Sequence, residues 1–209
     1  MAPNLASLLR LMLVTDDALL AGRDLVSLAQ AAERGGVTSV ELRLKRATGR
    51  ELVAAARALV TALRVPVVVN DRPDIALAAG AAGVHLGPDD LPVEHARRLA
   101  PPGFIVGASA GSSEEAMAGR DADYWGVGPW RTTGTKPDAG VPLGAEGFRR
   151  LVALGQGKPC LAIGGVRAED VEAVLAAGGA GVGVASGILA AGDVERAARE
   201  YSTAVRSKK

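Results

Sequence analysis

Short apolar runs rich in β-branched residues alternate eight times with longer stretches in which apolar residues recur at helical spacing. This alternation predicts β–α units and a parallel sheet, because parallel neighbours need a crossover that returns the chain to the same edge. We predict strands near residues 11–15, 39–44, 65–70, 83–86, 104–109, 124–128, 160–163 and 181–184. Predicted helices run near 24–34, 48–63, 73–79, 92–99, 113–119, 145–154, 168–176 and 193–206.

Eight such units in 209 residues predict a small α/β fold, a closed (β/α)8 TIM barrel, with little room for insertions. An open doubly wound sheet is the alternative. No composition shift or long linker divides the chain, so we predict a single domain over residues 1–209. In either fold the active site is expected at the C-terminal ends of the strands.

Charge and cysteine content exclude several classes of protein. Lys and Arg number 24 against 23 Asp and Glu, so no basic surplus favours nucleic acid or an anionic membrane as partner. Cys160 is the only cysteine and no Cys/His cluster has zinc spacing, which predicts a cytoplasmic protein without disulfides. The apolar tetrad at residues 11–14 is too short for a signal peptide or a membrane span.

The second predicted strand, SVELRLK, carries three charges on one face. Because side chains alternate along a strand, Glu41, Arg43 and Lys45 share the face that points into the barrel. Buried charges need partners, and this position near the barrel mouth favours an anionic ligand. A self-satisfied ion cluster is the alternative.

Polar residues also follow the third and fourth strands. Asn70 and Asp71 end the third, and Asp89 and Asp90 follow the fourth in GVHLGPDD. Two carboxylates at strand C-terminal ends suit Mg²⁺, which keeps waters and shares substrate phosphates. Helix capping is the alternative for each carboxylate.

Three further features bear on ligand binding. Small residues follow strands seven and eight, at the positions where barrels often bind phosphate. They are Gly164, Gly165, Ala185, Ser186 and Gly187. The alternative is that they are ordinary turn residues. The long connection 129–144 is interpreted as a substrate loop, the alternative being a surface excursion. His85, His95 and Cys160 are predicted to be structural, and no nucleophilic triad is recognisable.

The order of these motifs resembles the thiamine phosphate synthase family across nearly the whole chain. The family's Q-x-R-E-K is similar to residues 41–45, its N-D pair to residues 70–71, and its G-V-H-L-G-Q-x-D to GVHLGPDD. VGAS places Ser109 at the family's serine, and GPWRTTGTKPDAG resembles G-P-x-x-x-T-x-T-K. AIGGV and GVGVASGI complete the set.

The resemblance implies that an aminopyrimidine methyl diphosphate and a hydroxyethylthiazole phosphate are joined, giving thiamine phosphate and diphosphate. Carried over by position, Asp71 and Asp90 would hold Mg²⁺. The pyrimidine diphosphate would be bound by Arg43, Lys45, Asn70, Ser109 and Lys136, of which Arg43, Ser109 and Lys136 are the catalytic candidates. The thiazole phosphate would be bound by Thr133, Thr135, Gly165, Ala185 and Ser186. A homodimer is a family-level expectation.

Glu41 departs from the family's usual Gln, and a carboxylate can only accept hydrogen bonds. It is interpreted as accepting from the exocyclic amine of the pyrimidine, or as pairing with Arg43 or Lys45. Two other functions stay open, a thiazole tautomerase and a non-catalytic protein that binds thiamine phosphates. The tautomerase would need neither Mg²⁺ nor a diphosphate clamp. Gly111 stands where many relatives carry a His, and the absence of this His counts against the tautomerase.

Overall fold

A computed structural model describes residues 5–20, 22–132, 134 and 140–206 of the chain. Eight parallel strands pair in chain order, and β8 pairs with β1 to close the barrel. Closure confirms the (β/α)8 barrel over the open sheet. The strands are Leu11–Val14 (β1), Ser39–Leu42 (β2), Val67–Asn70 (β3), Gly83–Leu86 (β4), Ile105–Ser109 (β5), Tyr124–Val127 (β6), Cys160–Ala162 (β7) and Gly181–Val184 (β8).

Helices separate the strands and surround the barrel. They are Leu5–Leu8 (α1), Asp17–Leu20 (α2), Leu25–Gly35 (α3), Gly49–Ala62 (α4), Pro73–Ala79 (α5), Val93–Leu99 (α6), Ser113–Ala118 (α7), Gly144–Leu154 (α8), Val171–Ala176 (α9), Ser186–Leu189 (α10) and Val194–Arg206 (α11). A 3₁₀ turn, Ala168–Asp170, precedes α9. None of the described helices combines the length and apolarity needed to cross a membrane.

The predicted elements agree with these bounds to within two residues at most ends. The sequence did not predict α1, α2 and α10, which have four residues each and are too short for a helical period to show. Helix starts follow capping chemistry. Thr48 and Glu51 form a reciprocal capping box at α4, and Asp24 accepts from the Ser27 amide at α3.

Two cores lie on the two faces of the sheet. Outward residues such as Val40, Val69 and Val106 pack with the helices in one large cluster. The barrel interior holds a smaller cluster built from Leu9, Met12, Val14, Tyr124 and Leu161. Beyond this smaller cluster, toward the C-terminal ends of the strands, the barrel interior is therefore left for polar side chains.

Candidate active site

A cavity of about 520 Å³ opens at the C-terminal ends of the strands. Ten of the predicted site residues line it together: Glu41, Arg43, Lys45, Asn70, Asp71, Asp90, Ser109, Gly165, Ala185 and Ser186. A second depression of about 590 Å³ adjoins it and shares Lys45, Asn70, Asp71, Asp89 and Asp90. Three predicted residues, Thr133, Thr135 and Lys136, lie outside the described residues.

Arg43 is fixed by the end of β1. Its Nη1 donates to Asp16 Oδ2 at 2.9 Å, and both side chains are largely buried. Its backbone amide donates to Thr15 Oγ1 at 2.8 Å. Asp16 also accepts from the Ala18 amide at the start of α2, at 3.0 Å. This carboxylate therefore positions a cation at the cavity edge, a role that the sequence did not indicate.

Lys45 and the two predicted metal ligands form one cluster. Lys45 Nζ donates to Asp71 Oδ2 at 2.5 Å. The carboxyl groups of Asp71 and Asp90 lie close enough to influence each other's ionisation. Asp90 Oδ2 also accepts from the Gly87 amide at 2.6 Å. The cluster brings together side chains from three successive strand ends.

The two aspartates differ in their ionisation. Burial disfavours the ionised form of Asp71, but its interactions with Asp90 and Lys45 leave its pKa below the ordinary value. Burial and the Asp71 carboxylate raise the pKa of Asp90. Asp71 also has a left-handed backbone, with φ of 65°, which is unfavourable for a non-glycine residue. Such strain at a strand end typically accompanies a functional constraint.

Capping does not account for these aspartates. Arg72 precedes α5 and Pro92 precedes α6, and neither helix has a side-chain cap. Within the described residues no group of three or more His, Cys, Asp or Glu side chains could hold a metal. Two neighbouring carboxylates at the cavity nevertheless fit Mg²⁺, which takes oxygen ligands and completes its shell with waters and phosphate oxygens. Asp71 and Asp90 therefore fit the ion.

Glu41 lies deeper in the barrel and is only 2% exposed. Burial raises the pKa of its carboxyl group, and the nearby His85 and Arg43 side chains partly offset this rise. Within the described residues no side chain donates a hydrogen bond to it, because Arg43 pairs with Asp16 and Lys45 with Asp71. Two of the three charges on this strand are therefore paired with aspartates of the protein, and Glu41 is the one without an ion pair among the described residues. The Glu41 carboxyl group borders the cavity, and none of the described residues donates a hydrogen bond to it.

The glycines after β7 have two structural reasons. Gly164 and Gly165 have φ of 82° and 69°, a region that favours glycine. A Cβ on Gly164 would lie 2.8 Å from Pro129 Cβ, and one on Gly165 would lie 2.9 Å from Thr132 O. The loop after β6 thus packs directly on them. Their place on the cavity wall also leaves their backbone open to a ligand.

His85 joins the site through Ser109, a contact that the sequence did not predict. Its Nε2 lies 3.2 Å from Ser109 Oγ and its Nδ1 lies 3.0 Å from the Tyr124 hydroxyl. All three side chains come from neighbouring strands, β4, β5 and β6. No spacing in the sequence marks this contact, because it depends on the register of the strands.

Comparisons with known proteins give a consistent result. The family model described as thiamine monophosphate synthase matches residues 11–188. A thiamine-phosphate synthase of Azorhizobium caulinodans is 47% identical over 209 residues, 96% of this chain and 97% of that protein. One from Methanoculleus marisnigri is 44% identical, over 95% and 96% of the two chains. A solved structure of thiamine phosphate pyrophosphorylase from Pyrococcus furiosus superimposes with a TM-score of 0.87 at 37% identity, covering 97% of this chain and 98% of that one.

Proposed function

This chain belongs to the thiamine monophosphate synthase family and is a transferase of thiamine biosynthesis, and we propose which part of the reaction each of its residues serves. The substrates are an aminopyrimidine methyl diphosphate and a hydroxyethylthiazole phosphate. The carbon–oxygen bond to diphosphate breaks with its electron pair on oxygen, and the thiazole nitrogen lone pair forms the new carbon–nitrogen bond. The attacking nitrogen carries no proton, so this step needs no general base.

The observation that carries this proposal is the cluster of Lys45, Asp71 and Asp90 at the cavity mouth, with Arg43 beside it. A departing diphosphate needs positive charge, and Arg43 and Lys45 supply it from the end of β2. Asp71 and Asp90 would hold Mg²⁺, which neutralises charge on the diphosphate oxygens when bound. Asn70, Ser109 and Lys136 complete the pyrimidine diphosphate site. Electrostatic stabilisation and positioning then account for most of the catalysis.

Glu41 is assigned to the pyrimidine ring. Its carboxyl group lacks a protein donor within the described residues and borders the cavity, so it is available to accept from the exocyclic amine. A charge-assisted contact of this kind would favour a protonated ring. Glu41→Gln is expected to weaken binding of the pyrimidine diphosphate and change its pH dependence. Unchanged affinity and pH dependence would remove this role.

The thiazole phosphate is assigned to the opposite side of the cavity. Gly165, Ala185 and Ser186 line that wall, after β7 and β8. Thr133 and Thr135 are assigned to the same subsite by their place in the family motif. This arrangement leaves the two substrates facing each other, with Ser109 on the wall after β5.

The direct test mixes the protein with both substrates and Mg²⁺, with and without chelator, and detects thiamine phosphate as fluorescent thiochrome. We expect metal-dependent product. Asp71→Ala should remove most of the activity, whereas Asp74→Ala should keep it because Asp74 is exposed and pairs with Arg72. Folded protein that binds either substrate but forms no product would favour a tautomerase or a binding protein instead. Lys136→Ala is expected chiefly to weaken binding of the diphosphate.

We also propose that the enzyme acts in the cytoplasm on small molecules, without nucleic-acid or membrane partners. Its near-balanced charge supports this assignment. A single domain over residues 1–209 and a homodimer are parts of the same proposal. Gel filtration with light scattering measures the mass in solution and so tests the dimer.

A further inference from the structure

His85 is a buried polar side chain, 5% exposed, that the proposed reaction leaves without a role. It stands between two hydroxyl groups, with Tyr124 below it and Ser109 at the cavity. The His85 and Tyr124 rings are 5.5 Å apart between centroids and inclined by 33°. The three side chains therefore form a chain of hydrogen bonds that runs from the barrel core to the cavity.

The barrel is built around this chain. A methyl group on Gly107 would overlap the Tyr124 ring, and one on Gly126 would lie 3.0 Å from His85 Cε1. Two glycines on β5 and β6 thus leave the room that the two rings occupy. Side chains placed in this way have little freedom to rearrange.

The donor of the Tyr124 hydroxyl needs an acceptor, and this requirement decides which group donates in each of these hydrogen bonds. Tyr124 is 0% exposed, and among the described residues the hydrogen-bond partner of its hydroxyl is His85 Nδ1. Burial raises the pKa of Tyr124 well above 10, so the hydroxyl keeps its proton. If Nδ1 carried a proton, the Tyr124 hydrogen would have no acceptor among the described residues, and an unpaired buried donor is unfavourable. Donation from Tyr124 to a bare Nδ1 satisfies every group.

We propose that His85 is a positioning residue that holds the Ser109 hydroxyl as a hydrogen-bond donor toward the cavity. With Nδ1 accepting from Tyr124, the ring proton is on Nε2, which donates to Ser109 Oγ. The Ser109 hydrogen is then free to meet an anionic oxygen of the ligand. The identity of that anion as the leaving diphosphate rests on the proposed function.

The first test is nitrogen NMR of the whole protein labelled with ¹⁵N-histidine. The chain has 2 histidines, and His95 on the exposed side of α6 serves as the internal control. We expect a bare Nδ1 and a protonated Nε2 at His85, and Tyr124→Phe should shift that ring toward the other tautomer. A wild-type ring with Nδ1 protonated overturns the proposal. This spectrum is independent of turnover, so a failure of the proposed function would be seen separately, as absence of thiamine phosphate.

The second test is kinetic and uses two amides of different reach. Gln can place its amide near the position of Nε2, whereas Asn reaches only the position of Nδ1. His85→Asn is expected to lower kcat about tenfold, and His85→Gln to recover most of that loss. In a Ser109→Ala background the Asn substitution should have no further effect. Equal losses for both amides, or losses that add to that of Ser109→Ala, would show that His85 serves packing alone.

Discussion

Arg131 and Asp170 join the loops that follow β6 and β7 through two parallel hydrogen bonds, of 2.8 and 2.5 Å. Asp170 is buried and also accepts from the Arg167 amide at 2.9 Å. Both loops border the cavity, since Pro129 and Gly165 lie on its wall. The pair therefore fixes the base of the connection 129–144 against the proposed thiazole phosphate site.

Asp170→Asn should lower stability in a pH-dependent way. Burial disfavours the ionised form of Asp170, but the hydrogen bonds from Arg131 and the Arg167 amide hold its pKa below the ordinary 3.8. A lowered pKa contributes stability above pH 3.8 that is lost as the pH falls through the folded-state value. Urea unfolding should thus separate the variant from wild type at pH 7 and bring them together in acid. A constant difference across this range would contradict the assignment.

Glu41→Gln should have the opposite sign. Burial raises the pKa of Glu41, so its contribution is complete below about pH 4.5 and is lost as the pH rises through the folded-state value. The titratable side chains that surround it are His85, Arg43, Asp71 and Lys45. We expect the variant to gain stability over wild type at pH 8 and to lose that gain near pH 4.5. Glu51→Gln is the control, because hydrogen bonds from Thr48 lower the pKa of Glu51, so removing the Glu51 charge should destabilise the protein at pH 8.

Gly107→Ala should be destabilising by roughly 1–3 kcal/mol or more, because the added methyl group overlaps the Tyr124 ring. The control is Gly49→Ala at the start of α4, where the nearest atom to a new Cβ is Ile75 Cδ1 at 4.0 Å. Thermal and urea unfolding measure both. A neutral Gly107→Ala would mean that Tyr124 moves freely in the interior.

Asp16→Asn should reduce kcat/KM on the order of tenfold to a hundredfold, since Arg43 loses the carboxylate that holds it at the cavity. The rise in KM for the pyrimidine diphosphate should account for much of this change. Asp24→Asn makes the same chemical change at the exposed N-cap of α3 and should leave the kinetics unaltered. Equal kinetics for the two variants would exclude a positioning role for Asp16.

Cys160 should be nearly inert in the folded protein. Burial raises the pKa of its thiol from 9.0 to about 11. At pH 8 the thiolate fraction is then about a hundredfold below that of the unfolded chain, and burial slows attack further. Reaction with a disulfide reagent, followed with and without urea, measures the ratio. Rapid modification of the native protein would contradict this burial.

The polar residues at strand ends were largely predictable from the sequence. Alternation along β2 places Glu41 inside the barrel, and the carboxyl ends of parallel strands bring Asp71 and Asp90 to one edge. The sequence could not predict that Arg43 pairs with Asp16, or that no described residue donates a hydrogen bond to the Glu41 carboxyl group. Those partners come from separate strands, and only the register of the closed barrel sets their distances.

By itself, the amino-acid sequence determined the order of the β–α units and the residue types at each strand end, because periodicity and turn chemistry are local properties. The tertiary structure alone decided the contacts between strands, such as His85 with Ser109 and Lys45 with Asp71. The same holds for the room that Gly107 leaves for Tyr124. These contacts depend on barrel closure, which brings together side chains far apart in the chain and excludes the water that would otherwise screen them.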